Sequence, residues 1–277
     1  MDIETISCVC FSPTGSTKTI AESIAQGSGA KKVNVIDLTI QTHRPEHPLT
    51  FRKEVVILAT PVYYGRVPEE AASCFSTLIG NRTPVVLVVV YGNRAFDDAL
   101  IELRDIAAGR NFIPIAGGAF LAEHSYSAPN HPIAQGRPDD NDLRKALEFG
   151  AAVRDKLLRT KSMDDLTAPQ VPGHVPYSEP KNLMLIKNLR ATTPLSFTPE
   201  TDMNKCTDCG LCAEICPTGA IGLADVTKTD KLRCLICFAC VKRCPEGARQ
   251  MNMPQFETAI QGLAEACQER KEPEVYL

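Results

Sequence analysis

The chain has 277 residues, of which 44% are hydrophobic and 23% charged, with a formal net charge of -3 at pH 7. This balance argues against a broad nucleic-acid-binding face, and the longest uncharged apolar runs, residues 55–65 and 84–92, are shorter than the roughly 18 residues of a membrane helix. The length fits a medium α/β domain with a smaller module. Residues 1–4 are acidic and lack the pattern of a secretory signal, so we expect a cytoplasmic protein.

Residues 5–160 alternate between apolar runs rich in Val and Ile and segments of helical period. This alternation is typical of a parallel sheet covered by helices on both faces. We predict an α/β fold with a five-stranded parallel sheet, its strands covering residues 5–11, 32–38, 54–60, 84–91 and 112–120. Residues 40–52 break the pattern because Pro45 and Pro48 disfavour a helix, and we predict a loop there.

A turn rich in hydroxyl groups follows the first predicted strand and leads directly into a helix. Its residues are Ser12, Pro13, Thr14, Gly15, Ser16 and Thr17. The glycine permits close backbone approach, and the hydroxyls and the unpaired amides at the helix start favour a single phosphate group. The turn has no Walker pattern and no G-x-G-x-x-G, which disfavours a nucleoside triphosphate. A plain capped turn is the alternative.

Two further loops are expected at the same edge of the sheet, where ligands of open α/β sheets bind. The third strand is followed by Pro61, Val62, Tyr63, Tyr64 and Gly65, and the fourth ends in Tyr91, Gly92, Asn93 and Arg94. The aromatic residues suit a flat ligand ring, and the backbone amides with Asn93 and Arg94 suit its polar edge. Ordinary packing is the alternative for the two tyrosines Tyr63 and Tyr91.

A proline-rich segment separates this part from the rest of the chain, with prolines at 169, 172, 176, 180, 194 and 199. It predicts a semi-stiff linker in which the apolar residues 183–186 are compatible with a turn of helix. A helical stripe that begins at Phe256 and ends at Cys267 predicts a terminal helix. The predicted divisions are a first domain of residues 1–160, a linker of 161–199, a second domain of 200–253, and a C-terminal helix and tail of 254–277.

Eight of the twelve cysteines form an internal repeat with an offset of 28 residues. Each copy reads C-x2-C-x2-C-x3-C-P, which resembles the bacterial ferredoxin run in which the fourth cysteine serves the other cluster. We predict two 4Fe-4S clusters, the first held by Cys206, Cys209, Cys212 and Cys244, and the second by Cys234, Cys237, Cys240 and Cys216. Structural zinc is the alternative, which the spacing disfavours. Cys8, Cys10, Cys74 and Cys267 are expected to be small buried hydrophobes.

Together these motifs resemble the flavodoxin-ferredoxin fusion family of anaerobes. The resemblance rests on S-P-T-G-S-T, P-V-Y-Y-G-R-V-P, Y-G-N-R, E-H-S-Y-S and G-R-P-D-D, followed by the paired cysteine motifs. It implies a flavodoxin-like sheet joined to a small α+β bacterial-type ferredoxin domain. It also implies FMN, with its phosphate on the hydroxyl-rich turn and its isoalloxazine between the two aromatic loops. Tyr64 departs from the pattern, which has a small residue there, and the resemblance leaves the roles of His124, Ser125 and Arg137 open.

The combination predicts electron transfer, because clusters move single electrons whereas a flavin can take up two. We expect a relay between the two clusters and FMN. An FMN-dependent reductase of a quinone, nitro compound or metal complex, supplied by its own ferredoxin domain, is the alternative, and a redox sensor is a third class. The expected partners are redox proteins, with no nucleic acid and no membrane, and the linker is also compatible with a head-to-tail homodimer.

Overall fold

The computed structural model describes residues 4–193 and 197–277. Residues 1–3 of the acidic start and Pro194 of the predicted linker lie outside the described residues. The strands are β1 (Thr5–Cys10), β2 (Lys32–Asp37), β3 (Val55–Pro61), β4 (Thr83–Tyr91), β5 (Phe112–Leu121), β6 (Glu200–Thr201), β7 (Arg249–Gln250) and β8 (Glu274–Tyr276). The α-helices are α1 (Ser16–Ser28), α2 (Glu69–Ser76), α3 (Ala99–Gly109), α4 (Asp140–Arg159), α5 (Lys181–Thr192), α6 (Leu211–Glu214), α7 (Ala239–Lys242) and α8 (Pro254–Ala266).

The main sheet has the strand order β2-β1-β3-β4-β5-β8 in the described part of the chain. Its first five strands are parallel, and β8 adds antiparallel to β5. The order 2-1-3-4-5 of the parallel strands is that of the flavodoxin-like doubly wound fold. The five predicted strands are confirmed, each end within one residue of its prediction. The sixth strand, β8, was not predicted.

Helices cover both faces of this sheet, so its central strand β4 is buried throughout. All nine residues of β4 are buried. One core layer holds Phe75, Leu100 and Leu103, and the other contains Ile20 and Phe149. Helices α1 and α4 cross closely at Gly27 and Gly150, where any Cβ atom would clash with the backbone of the other helix. This close crossing fixes α1, and with it the hydroxyl-rich turn, against the sheet.

The predicted loop over residues 40–52 is confirmed, since it holds only a 3-10 helix at Gln41–His43. The proline-rich segment is more ordered than predicted, because α5 extends over twelve residues between the prolines. The predicted terminal helix is α8, and the chain then returns to the main sheet as β8. Cys8, Cys10, Cys74 and Cys267 are all buried. Within the described ranges no helix is long and apolar enough to span a membrane.

Candidate cofactor sites

The eight repeat cysteines line two small cavities of about 20 Å³ each. The first, here called the cluster-one cavity, is lined by Cys206, Cys209, Cys212 and Cys244. The second, the cluster-two cavity, is lined by Cys216, Cys234, Cys237 and Cys240. The fourth cysteine of each repeat therefore lies with the first three of the other repeat. Four free thiols around each cavity match the donor set of a 4Fe-4S cluster.

The two cysteine loops have the same backbone conformation at positions 28 residues apart. Asp208 and Ile236 have φ values of 55° and 53°, and Gly210 and Phe238 have 76° and 60°. Left-handed backbone is rare for a β-branched or bulky residue and costs about 1–3 kcal/mol. The left-handed conformation recurs with glycine, isoleucine and phenylalanine at these positions. We therefore attribute it to the cysteine spacing and not to the backbone preference of the individual residue.

Backbone amides point at several of the sulfur atoms. Ala220 and Ala248 donate to the Sγ atoms of Cys216 and Cys244, both at 3.2 Å. Ile236 donates to Sγ of Cys234 at 3.4 Å. Such bonds orient thiolate ligands and adjust cluster potential. Among the described residues, no group of three His, Cys, Asp or Glu side chains is placed to hold one metal ion. A 4Fe-4S cluster does not need such a group, because each of its four iron atoms takes one thiolate.

The hydroxyl-rich turn is built to expose donors at the start of α1. Gly15 is the N-cap residue with φ +95°, and its N–H donates to the carbonyl of Ser12 at 3.1 Å. The Ser12 hydroxyl accepts the N–H of Lys18 at 3.0 Å. Within the described residues, no hydrogen bond occupies the N–H groups of Ser16 and Thr17, the first two of the helix. These two amides are therefore available to an anion.

A cavity of about 740 Å³ opens beside this turn. Most of the predicted flavin residues line it, namely Thr14, Ser16, Thr17, Pro61, Val62, Tyr63, Tyr64, Gly65, Tyr91, Gly92 and Arg94. The volume is within the range of small-molecule sites, roughly 300–1,000 Å³. The hydroxyls of Thr14 and Ser16 lie 3.5 Å apart at one end, and the aromatic loops lie beyond them. The hydroxyl-rich turn and the two aromatic loops thus line one cavity.

The loop after β3 is a tight turn. Tyr63 and Arg66 exchange backbone hydrogen bonds of 3.0 and 3.1 Å, and the two central residues, Tyr64 and Gly65, have φ values of 55° and 80°. Two positive φ values define a type I′ turn, in which glycine and asparagine are the usual residues. A Cβ atom at Gly65 would meet the Asp97 side chain. The turn holds both tyrosine side chains on the cavity.

Three predicted residues lie beside the cavity rather than on its surface: Ser12, Gly15 and Asn93. Ser12 and Gly15 shape the turn through the bonds described above. The buried Asn93 amide donates at 2.8 Å to the carbonyls of both Cys267 and Glu269, and its oxygen accepts the N–H of Lys271. Asn93 therefore anchors the C-terminal segment, a role that its place after β4 did not reveal.

The opposite wall of the cavity comes from parts of the chain that the sequence analysis did not connect with it. Helix α5 contributes Leu185 and Ile186, and α8 contributes Phe256, Ile260 and Leu263. His124 also lines the cavity. Burial, followed by the charges of Lys242 and Arg94, lowers its pKa to about 4, so the imidazole is uncharged at neutral pH. Its Nδ1 accepts the N–H of Tyr126 at 3.1 Å.

Ile236 stands between the two kinds of cavity. This residue is 5% exposed and lines both the 740 Å³ cavity and the cluster-two cavity. Tyr63, which also lines the large cavity, packs against the buried apolar group of Ile215, Cys237 and Ala239. The ring of Tyr126 lies 4.7 Å from that of Phe238 and 5.1 Å from that of Phe256, measured between centroids. The cluster-two loop is thus packed directly against the wall of the 740 Å³ cavity.

Polar contacts fix the two halves of the chain to each other. Lys242 of α7 donates to the Glu123 carboxylate at 2.6 Å and to the carbonyl of Ser127 at 2.7 Å. Arg190 of α5, which is 5% exposed, donates to the carbonyl of Cys234 at 2.7 Å. Arg44 donates to the carbonyl of Pro217 at 3.2 Å. Contacts from three separate segments define one relative placement of the two halves.

Residues 199–222 match the family of 4Fe-4S binding domains. No curated protein sequence matches the chain. Among solved structures, a flavodoxin from the domain Archaea is 16% identical over 56% of this chain and 99% of its own, with a TM-score of 0.34. A flavodoxin of Streptococcus pneumonia TIGR4 is 17% identical over 55% of this chain and 99% of its own, with a TM-score of 0.36. A flavone reductase is 11% identical over 59% and 65%, with a TM-score of 0.41.

The strand order 2-1-3-4-5 and the matched 4Fe-4S segment define the class, that of iron-sulfur proteins with a flavodoxin-like domain. Within this class the chain is a fusion of a flavodoxin-like domain with a ferredoxin-type domain.

Proposed function

We propose that the chain is an electron relay in which a redox partner protein exchanges electrons with cluster one, and cluster two exchanges them with FMN. The observation that carries this proposal is the position of Ile236, a single buried side chain shared by the cluster-two cavity and the 740 Å³ cavity. When bound, the clusters supply one-electron chemistry and the flavin supplies two-electron capacity. Ile236 and Tyr63 would keep water out of the space between them.

The solvent exposure of the cysteines indicates which cluster meets the partner protein. Cys237 of cluster two is buried, whereas Cys209 of cluster one is exposed, as are its neighbours Thr207 and Asp208. An external protein can approach the Cys209 side without displacing the flavodoxin-like domain. Cluster one is therefore the outer end of the relay, and the flavin is the inner end.

The hydrogen bonds that hold the linker to α3 support electron exchange within one chain rather than between two subunits. Asp98 accepts hydrogen bonds from the N–H of Ser178 at 2.7 Å and from the N–H and ring of His174 at 2.8 and 3.0 Å. Burial raises the pKa of this carboxyl, but these bonds outweigh it and lower the pKa to about 2. The linker is thus held to the start of α3 by an ionised carboxylate, which keeps α5 and the ferredoxin-type domain over the cavity of their own chain.

Cofactor content is the first test. Protein purified without oxygen is expected to hold about eight iron, about eight acid-labile sulfide and one FMN per chain, because two cubanes and one flavin fill the three cavities. Metal analysis, sulfide assay and the flavin spectrum measure these quantities. About four iron per chain would reject the second cluster, and zinc in place of iron would reject both.

Electron exchange is the second test. Stopped-flow reduction by dithionite is expected to show cluster reduction followed by flavin reduction, with a first-order rate that does not change with protein concentration. Fixed placement of the two sites makes the effective concentration of each for the other high. A rate proportional to concentration would point to exchange between chains. Flavin oxidation by a quinone or nitro compound that outpaces this exchange, and saturates, would favour the FMN-dependent reductase instead.

A further inference from the structure

Arg249 is a buried cation inside the ferredoxin-type domain. It is 3% exposed and lines the cluster-one cavity together with its four cysteines. The residue 28 positions earlier is Ile221, which is buried and lines the cluster-two cavity. The repeat therefore places an apolar side chain at one cavity and a guanidinium at the equivalent position of the other. Nothing in the cysteine motif requires this charge.

Neutral oxygens hold the guanidinium in place without neutralising it. Its Nη atoms donate to the hydroxyls of Thr201 and Thr229, both at 2.7 Å, and to the carbonyl of Pro199 at 2.9 Å. In the part of the chain that the structure describes, no carboxylate forms an ion pair with Arg249, and its Nε–H has no hydrogen-bond partner. A buried charge without a counterion is strongly unfavourable. The missing negative charge has to come from something that the cavities hold.

The guanidinium lies between the two quartets. Arg249 itself lines the cluster-one cavity, whereas Pro199 and Thr229, whose oxygens accept hydrogen bonds from its Nη2 atom, line the cluster-two cavity. Several charged residues flank the cysteines directly, but they are exposed, so solvent screens them: Lys205, Asp208, Arg233 and Arg243. Arg190 reaches only the Cys234 side of cluster two. Glu246 lines the cluster-one cavity but is exposed, so solvent screens it. Arg249 is the buried cation placed between the two quartets.

We propose that Arg249 is the counter-cation shared by the two clusters and that it raises the reduction potential of both. Reduction adds one electron, and hence one negative charge, to a cluster without breaking a bond or moving a proton. A cation buried nearby stabilises the reduced form more than the oxidised form, since little solvent screens it. This inference rests on the two-cluster content proposed above. Arg249 acts on the clusters through its charge and is a positioning residue, not a ligand.

The test is a redox titration of the purified holoprotein monitored by electron paramagnetic resonance. In Arg249→Met, the ratio of reduced to oxidised clusters at a fixed solution potential is expected to fall at least tenfold for both clusters, which is about 59 mV for one electron. Arg249→Lys keeps the charge and is expected to remain close to the parent. Arg243→Met is the matched control, because Arg243 precedes Cys244 but is exposed, so its removal is expected to change the ratio little.

Spin coupling between the two reduced clusters reports whether their geometry survives each substitution. Unchanged potentials in Arg249→Met with unchanged coupling would overturn the proposal, as would equal shifts in the Lys and Met variants. If Arg249→Met loses its clusters, the Arg249→Lys variant becomes the test, because lysine keeps the positive charge. Retained clusters with potentials close to those of the parent would support the proposal, and lowered potentials would contradict it. The iron content of the parent protein tests the proposed two clusters independently of Arg249. About four iron per chain would contradict the two-cluster content before any variant is made.

Discussion

Cys244→Ala is expected to damage the cluster proposed for Cys206, Cys209 and Cys212, although Cys244 belongs to the second repeat. The physical reason is that Cys244 lines the cluster-one cavity, 32 positions along the chain from the nearest of those three residues, Cys212. Among the described residues, no cysteine beyond these four lines that cavity to replace it. Iron content should fall towards about half of the parent value, and the magnetic coupling between the two reduced clusters should disappear.

Cys216→Ala is the matched control, because Cys216 belongs to the first repeat yet lines the cluster-two cavity. Both variants lose the fourth ligand of one cluster, so they should lose similar amounts of iron. They should differ in flavin reduction. Cys244→Ala keeps the cluster beside Ile236 and should still reduce the flavin within the chain, whereas Cys216→Ala should not. If Cys216→Ala retains fast flavin reduction and Cys244→Ala loses it, the crossed assignment is wrong.

The sequence predicts the sheet well because burial on both faces leaves a strong local signal. Strand β4 carries eight consecutive apolar residues, 84–91, all of them buried, which is the pattern of a central strand covered on both faces. The hydroxyl-rich turn and the cysteine repeat are also local patterns. The spacing and the repeat picked out the eight cysteines, and their resemblance to the bacterial ferredoxin run predicted the two crossed quartets that the cavities bring together.

The other wall of the large cavity could not be predicted, because it depends on contacts between distant segments. Helix α5 lies among prolines and has a weak apolar stripe, so its place over the cavity depends on contacts such as that of Arg190 with Cys234. Strand β8 is three residues long and mostly exposed, and its pairing with β5 gives no periodic signal. The role of Asn93 could not be predicted for the same reason, because its hydrogen-bond partners lie more than 170 residues away along the chain.

Arg249 was missed for a different reason. It follows the second cysteine run in a two-residue strand, where an arginine ordinarily points to solvent. Only the fold shows that the pairing of β6 with β7 turns it inward between the two quartets. The domain boundaries at residues 160, 199 and 253 stay predictions. Residues on both sides of these boundaries, such as Leu185 and Phe256, meet in one cavity.

Gly15→Val is expected to weaken FMN binding by roughly ten- to a hundredfold while both clusters persist. Gly15 has φ +95°, and a β-branched residue held in such a conformation is strained by about 1–3 kcal/mol. A Cβ atom there would meet nothing within 4 Å, so strain rather than collision is the cause. The turn can relieve the strain when empty but must restore the conformation to present the amides of Ser16 and Thr17. Each 1.4 kcal/mol of that cost reduces affinity about tenfold.

Gly29→Val separates this effect from a general loss of stability. Gly29 also has positive φ, at +69°, and ends the same helix α1 far from the cavity, where its Cβ would only touch the Arg154 side chain at 3.4 Å. Gly29→Val should lower the midpoint of thermal unfolding of the flavin-free protein, because valine stays in left-handed backbone there, whereas Gly15→Val should lower it less, because the empty turn relieves the strain. Only Gly15→Val should raise the dissociation constant of FMN, measured by quenching of flavin fluorescence. Equal flavin affinities in the two variants and the parent would remove the hydroxyl-rich turn from the flavin site.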